Sequence, residues 1–133
     1  MNKLVILLGC VLVTLGVAAA QEKSSKATDQ GIKIEKIVAA TSVNGLEPVG
    51  ENREFESSVG AVYCWTKVST KTVPATIVDV WYLGDKKVFE YPLDLKFAST
   101  RTWSSKSVRP GSWRVDVTDE AGKVLSSVSF TVK

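Results

Sequence analysis

Beyond residue 31, apolar and polar residues alternate with a period of two along most of the chain. The segment 60–68 shows the pattern most clearly, with one face formed by the alternate residues Val62, Cys64, Thr66 and Val68. The segments 112–118 and 123–132 repeat it. Such alternation predicts strands with one buried face. Because no stretch after residue 31 has a convincing helical period, the pattern predicts an all-β fold.

Turn signals divide this region into about seven short strands. Asn44-Gly45, Gly84-Asp85-Lys86, Arg109-Pro110-Gly111 and the segment 119–122 contain residue types that favour tight turns. Pro92 predicts that the strand 87–93 ends there or lies at a sheet edge, since proline lacks a backbone N–H. The arrangement predicts a two-layer antiparallel β-sandwich of Ig-like topology, with a small β-barrel as the alternative.

The first twenty residues have the features of a secretory signal peptide. A basic start at Lys3 precedes an apolar run over residues 4–17, and Ala18-Ala19-Ala20 supplies small residues for cleavage before Gln21. We therefore expect export to the periplasm or extracellular space, without stable membrane insertion after cleavage. An uncleaved N-terminal anchor is the alternative, because the apolar run is at the short edge of what spans a bilayer. The polar residues 21–31 predict a flexible tether before a domain at 32–133.

Composition and charge narrow the classes of function. The net charge of +3 comes from basic residues that are not clustered, so we expect no nucleic-acid partner. The chain contains no histidine, which removes the commonest general base and metal ligand. Cys64 alone remains after the predicted cleavage and reads as a small buried hydrophobe. These observations predict no metal, no cofactor and no catalytic residue, hence a protein that is not an enzyme.

Aromatic and cationic residues supply the candidate binding site. Tryptophan and arginine are enriched where proteins hold partners. We select Trp65, Trp103 and Arg101 as ligand- or partner-binding residues. Trp65 lies on the face opposite the apolar side of its strand and is expected to be exposed. Arg101 lies two residues before Trp103, on the same face of its strand, and can stack on it. Trp113 is in phase with Val115 and Val117, which predicts a place in the core.

Several segments resemble a known family by their residues and order. They are Val80-Trp81-Tyr82, Gly84-Asp85-Lys86, 101–106 (RTWSSK), 111–115 (GSWRV), 122–125 (GKVL) and Phe130-Thr131-Val132. In this order they resemble the bacterial domain-of-unknown-function family 2914, over about residues 34–133. The resemblance implies a compact β domain, often found in exported or membrane-attached bacterial proteins. It implies no activity, cofactor or catalytic residue.

Export, the missing catalytic groups and the aromatic residues together predict a non-catalytic binding or scaffold module of the bacterial cell envelope. Its expected partner is an envelope protein or a glycan. One alternative is an unrecognised carboxylate-based hydrolase, because the two carboxylates of such a site need not be adjacent in sequence. The other alternative is a structural envelope domain that pairs through a strand edge.

Overall fold

The period-two segments form strands in the computed structural model, which describes residues 31–133. The predicted signal peptide and the predicted tether, except Gly31, lie outside the described residues. The strands are β1 (Ile32–Ala40), β2 (Ser42–Asn44), β3 (Glu47–Val49), β4 (Glu54–Phe55), β5 (Ala61–Thr70), β6 (Ala75–Leu83), β7 (Lys86–Leu95), β8 (Ser99–Ser107), β9 (Gly111–Asp119) and β10 (Val124–Val132).

The all-β prediction is confirmed. Apart from one 3₁₀ turn at Ser57–Val59, residues 31–133 contain no helix, and so none that could cross a membrane. Seven of the strands are nine or ten residues long. The predicted number of about seven is low because β2, β3 and β4, of two or three residues each, carry too few positions to show a period.

The strands form three sheets. One has the order β1-β5-β8, a second has the order β4-β10-β9-β6-β7, and β2 and β3 form a separate hairpin. Every pairing is antiparallel except that of β4 with β10. The strand β7 continues through Pro92 at the edge of the five-stranded sheet, where the N–H that proline lacks is not needed.

One hydrophobic cluster contains residues of both larger sheets. Val62 and Cys64 from β5 pack with aromatic residues of β6, β9 and β10. Trp81 is fully buried at its centre and meets Trp113 and Phe130 edge-on, with centroid distances of 6.4 and 6.2 Å. The predicted core positions of Cys64 and Trp113 are therefore confirmed. Edge-on contacts between rings add to the stabilisation from burial.

We expect Trp81→Phe to lower the free energy of unfolding by about 2 kcal/mol, because it removes buried volume and an indole N–H that is hydrogen-bonded. Urea denaturation measures the change. Tyr82→Phe is the matched control, since Tyr82 adjoins Trp81 but lies on the opposite face and is only half-buried. The control should change stability by less than about 0.5 kcal/mol. Equal losses in the two variants would contradict the assignment of Trp81 to the centre of the core.

Candidate functional site

The three predicted site residues lie together on the outer face of the three-stranded sheet. Trp65 of β5 is directly opposite Trp103 of β8, and Lys67 is opposite Arg101 in the next same-face row. Residues two apart on a strand share a face, so the antiparallel register brings two tryptophans and an arginine side by side. Their role in binding stays a prediction.

The prediction that Trp65 is exposed is wrong. Its side chain is 2% exposed, and its indole Nε1–H donates to the backbone carbonyl of Leu46 at 2.9 Å. Leu46 lies in the loop of the β2–β3 hairpin, which covers this part of the outer face. Alternation places a side chain on one side of its strand, but it does not reveal what another part of the chain lays over that side.

The hairpin also engages Arg101. The Arg101 guanidinium forms an ion pair with Glu47, the first residue of β3. The stacking of Arg101 on Trp103 that we expected is not among the cation–ring contacts of residues 31–133, which are Lys106 over Phe89 and Arg114 over Tyr82. Trp103 is half-buried. Of the predicted surface, Trp103 and Arg101 remain accessible in part, whereas Trp65 does not.

The hairpin loop contains a leucine in an unusual conformation. Asn44 pairs with Glu47, so the two central residues are Gly45 and Leu46, with φ of 57° and 74°. A tight hairpin turn of this type needs positive φ at both positions. The Asn44-Gly45 pair that the sequence suggested is thus displaced by one residue. The displacement puts Leu46 where its carbonyl accepts the Trp65 indole N–H.

The outer face of the five-stranded sheet carries a second group of aromatic and charged side chains. Tyr82 of β6 is opposite Arg114 of β9, and the guanidinium carbon lies 4.3 Å from the centre of the tyrosine ring. Arg114 Nε donates to Asp116 Oδ1 at 3.0 Å, and the same oxygen accepts the Ser127 hydroxyl at 2.7 Å. We call these four residues the Arg114 cluster.

Two clefts adjoin the Arg114 cluster. A cleft of about 530 Å³ is lined by Arg114 itself, by Ser112 and Ser129, and by Arg53 and Asp85. A second cleft of about 250 Å³ is lined by Tyr82 and Asp116 together with Lys87 and Glu90. The cluster therefore stands between two concave surfaces that solvent reaches, of which the larger is lined by apolar as well as polar residues.

The binding residues predicted from sequence do not include Arg114 or Tyr82. The sequence does contain a signal for them, namely their position next to a buried tryptophan in a strand. Arg114 follows the buried Trp113, and Tyr82 follows the buried Trp81. Each is therefore on the outer face of its strand. The sequence could not reveal that β6 and β9 are neighbours, and this neighbourhood brings the two side chains into contact.

A buried polar group lies between the two larger sheets. The Trp81 Nε1–H donates to Ser104 Oγ at 3.0 Å, and the Ser104 hydroxyl donates to Asp79 Oδ2 at 2.6 Å. Asp79 is fully buried, and burial raises the pKa of its carboxyl from the usual 3.8 to about 6, although the Ser104 hydrogen bond opposes the rise. Burial, and then the nearby Asp79, also raise the pKa of the Cys64 thiol. The thiol is therefore neutral and inaccessible, unlike a nucleophile.

Within residues 31–133, no group of three or more His, Cys, Asp or Glu side chains could hold a metal ion.

The family model described as "Protein of unknown function (DUF2914)" matches residues 74–132. This match confirms the resemblance over β6–β10, the region that carries both the Arg114 cluster and Asp79. The similarity expected for residues 34–73, which include Trp65, lies outside the matched region and stays a prediction. No curated protein matches the chain.

We expect Trp65→Ala to lower the free energy of unfolding by about 3–5 kcal/mol, as for other buried tryptophans. Trp103→Ala, at the directly opposite position, should cost roughly 1–2 kcal/mol because Trp103 is only half-buried. Thermal and urea unfolding of both variants measure the difference. A small effect for Trp65→Ala would show that the hairpin does not cover this side chain.

Leu46→Asn should raise the free energy of unfolding by about 0.5–1 kcal/mol. Asparagine tolerates positive φ, whereas leucine in this conformation has a steric cost of about 1–2 kcal/mol. Leu46→Ala is the matched control, since it shortens the side chain and keeps most of the strain. Urea denaturation compares the three proteins, and equal stability of the Asn and Ala variants would argue against strain at this position.

Proposed function

We propose that this domain is a non-catalytic binding module of the bacterial cell envelope, and that it contacts a protein or glycan partner through the Arg114 cluster. One observation carries the proposal: the Arg114 guanidinium is held over the Tyr82 ring while its side chain remains 42% exposed. An arginine held in this way presents hydrogen-bond donors to solvent in a fixed orientation.

Fixing the orientation of a contact residue before binding favours affinity. A free arginine side chain loses rotamer freedom when a partner immobilises it, at about 0.5–1.5 kcal/mol for such a side chain. Tyr82 and Asp116 already restrict Arg114, so less freedom is left to lose. Arginine and tyrosine are also enriched among the residues that dominate binding energies. The clefts on either side of the cluster give a partner room to approach.

The surface chosen from sequence remains a second candidate for the same function. Trp103 and Arg101 are accessible in part on the outer face of the three-stranded sheet, and the β2–β3 hairpin covers Trp65. A partner there would find Arg101 already paired with Glu47. The Arg114 cluster is the better candidate because Tyr82 and Asp116 orient an accessible arginine beside two clefts.

Pairing through a strand edge is an alternative function, favoured by β8. This nine-residue strand lies at an edge of the three-stranded sheet and contains no proline. The edge strand β7 of the other sheet is less suited, since it begins with two lysines and contains Pro92. A carboxylate-based hydrolase has weaker support, because the carboxyl with the strongly raised pKa, Asp79, is out of reach of a substrate.

The strand order supports the proposal that the domain is an Ig-like sandwich. If the seven long strands are lettered A to G in chain order, the sheets read A-B-E and G-F-C-D. A constant-type Ig domain has the sheets A-B-E-D and C-F-G. The two arrangements differ only in the fourth strand, β7, which here pairs with β6. In such a sandwich the Arg114 cluster occupies the outer surface of the larger sheet.

Binding to isolated cell-envelope fractions tests the proposal, with protein and glycan fractions measured separately by biolayer interferometry. We expect Arg114→Ala to raise the Kd at least about tenfold, the loss typical of a dominant contact residue. Arg101→Ala is the matched control, because Arg101 has a similar exposure and lies on the outer face of the other sheet. This variant should change the Kd less than about twofold.

The two variants separate the candidate surfaces. A loss of affinity with Arg101→Ala alone would move the binding site to the face predicted from sequence. Unchanged affinity in both variants would reject an arginine-centred site. Circular dichroism and thermal unfolding of each variant establish that a change in Kd does not arise from unfolding.

A further inference from the structure

A chain of two hydrogen bonds joins the two larger sheets through the middle of the core. Trp81 and Asp79 lie two residues apart on the inner face of β6, in the five-stranded sheet. Ser104 belongs to β8, in the three-stranded sheet. Ser104 accepts from the Trp81 indole and donates to the Asp79 carboxyl, so a single hydroxyl holds both groups of the opposite sheet.

The surroundings of Asp79 offer little to stabilise a negative charge. From β5, Cys64 and Thr66 face the same interior, and Cys64 is directly opposite Ser104. Asp79 itself is paired in register with Val117 of β9 and Tyr91 of β7. Tyr91 is exposed at the sheet edge, whereas the Cys64 thiol interacts electrostatically with Asp79. No ion pair of residues 31–133 includes Asp79.

Two polar atoms of this interior lack a hydrogen-bond partner within the described part of the chain. They are Asp79 Oδ1 and Thr66 Oγ1. A buried carboxylate with one unpartnered oxygen and no nearby cation is strongly disfavoured relative to the neutral acid. This geometry therefore keeps Asp79 protonated to a higher pH in the folded protein than in the unfolded chain.

We propose that Asp79, Ser104 and Trp81 form a proton-operated clasp between the two sheets, closed while the Asp79 carboxyl is neutral and loosened when it ionises. Ionisation places an uncompensated charge between the sheets. Separation of β8 from β6 breaks the Ser104 hydrogen bond to that charge but lets water reach the carboxylate, and burial is the larger of the two effects on Asp79.

The proposal fixes the direction of a pH dependence. The pKa of Asp79 is about 6 in the folded chain, against an ordinary value of 3.8. Between these values the folded protein keeps a proton that the unfolded chain has released, so this group's contribution to stability falls as pH rises. The contribution is greatest below about pH 4 and levels off above the folded pKa.

Wild type and Asp79→Asn are compared by urea unfolding from pH 4 to pH 8. Relative to Asp79→Asn, the folding equilibrium constant of the wild type should fall roughly 100-fold over this range, as two pKa units require. Asp94→Asn is the matched control, an exposed aspartate on β7 whose replacement should leave the wild-type pH profile unchanged. A constant ratio between wild type and Asp79→Asn would overturn the proposal.

Two measurements on the wild type keep the proposal testable if Asp79→Asn does not fold. Carbon-13 NMR of the side-chain carboxyls should show one aspartate that titrates near pH 6. Hydrogen exchange, corrected for its intrinsic pH dependence, should show β8 amides losing protection relative to β9 amides above that pH. An Asp79 that titrates near its ordinary value would overturn the proposal, as would a protection ratio independent of pH.

Discussion

Burial of the Trp81 indole between the two larger sheets is the interaction on which most of this structure depends. The ring packs edge-on against Trp113 and Phe130, but its N–H must also find an acceptor where no water reaches it. Ser104 supplies that acceptor from the opposite sheet, and its own hydroxyl donates a hydrogen bond to Asp79 Oδ2. The buried indole of Trp81 is therefore linked to the buried acid Asp79 through the Ser104 hydroxyl.

The same strand links this core to the candidate binding surface. Residues of β6 alternate between the two faces, so Trp81 anchors the interior while Tyr82, the next residue, stands on the outer face below Arg114. A strand that is paired on both sides and anchored in the core is a favourable support for a contact residue. The two faces of one strand thus serve stability and, in our proposal, recognition.

The outer faces of the two sheets differ in what covers them. On the three-stranded sheet, the β2–β3 hairpin occupies the surface over Trp65 and engages Arg101 through Glu47. On the five-stranded sheet, Arg114 and Tyr82 face solvent between two clefts. Both faces hold aromatic and cationic residues, so residue type alone does not separate them. The difference lies in the β2–β3 hairpin, which covers part of the outer face of the three-stranded sheet only.

Local pattern by itself determined the all-β class, the long strands, the side of each strand on which a residue lies, and the core positions of Cys64 and Trp113. It also carried the family resemblance over residues 74–132. Only the tertiary structure decided that Trp65 is covered, that Tyr82 meets Arg114, and that Asp79 is buried. The physical reason is the separation along the chain between the residues that are in contact. A period of two is a property of adjacent residues, whereas these three outcomes depend on contacts between segments at least 19 residues apart along the chain.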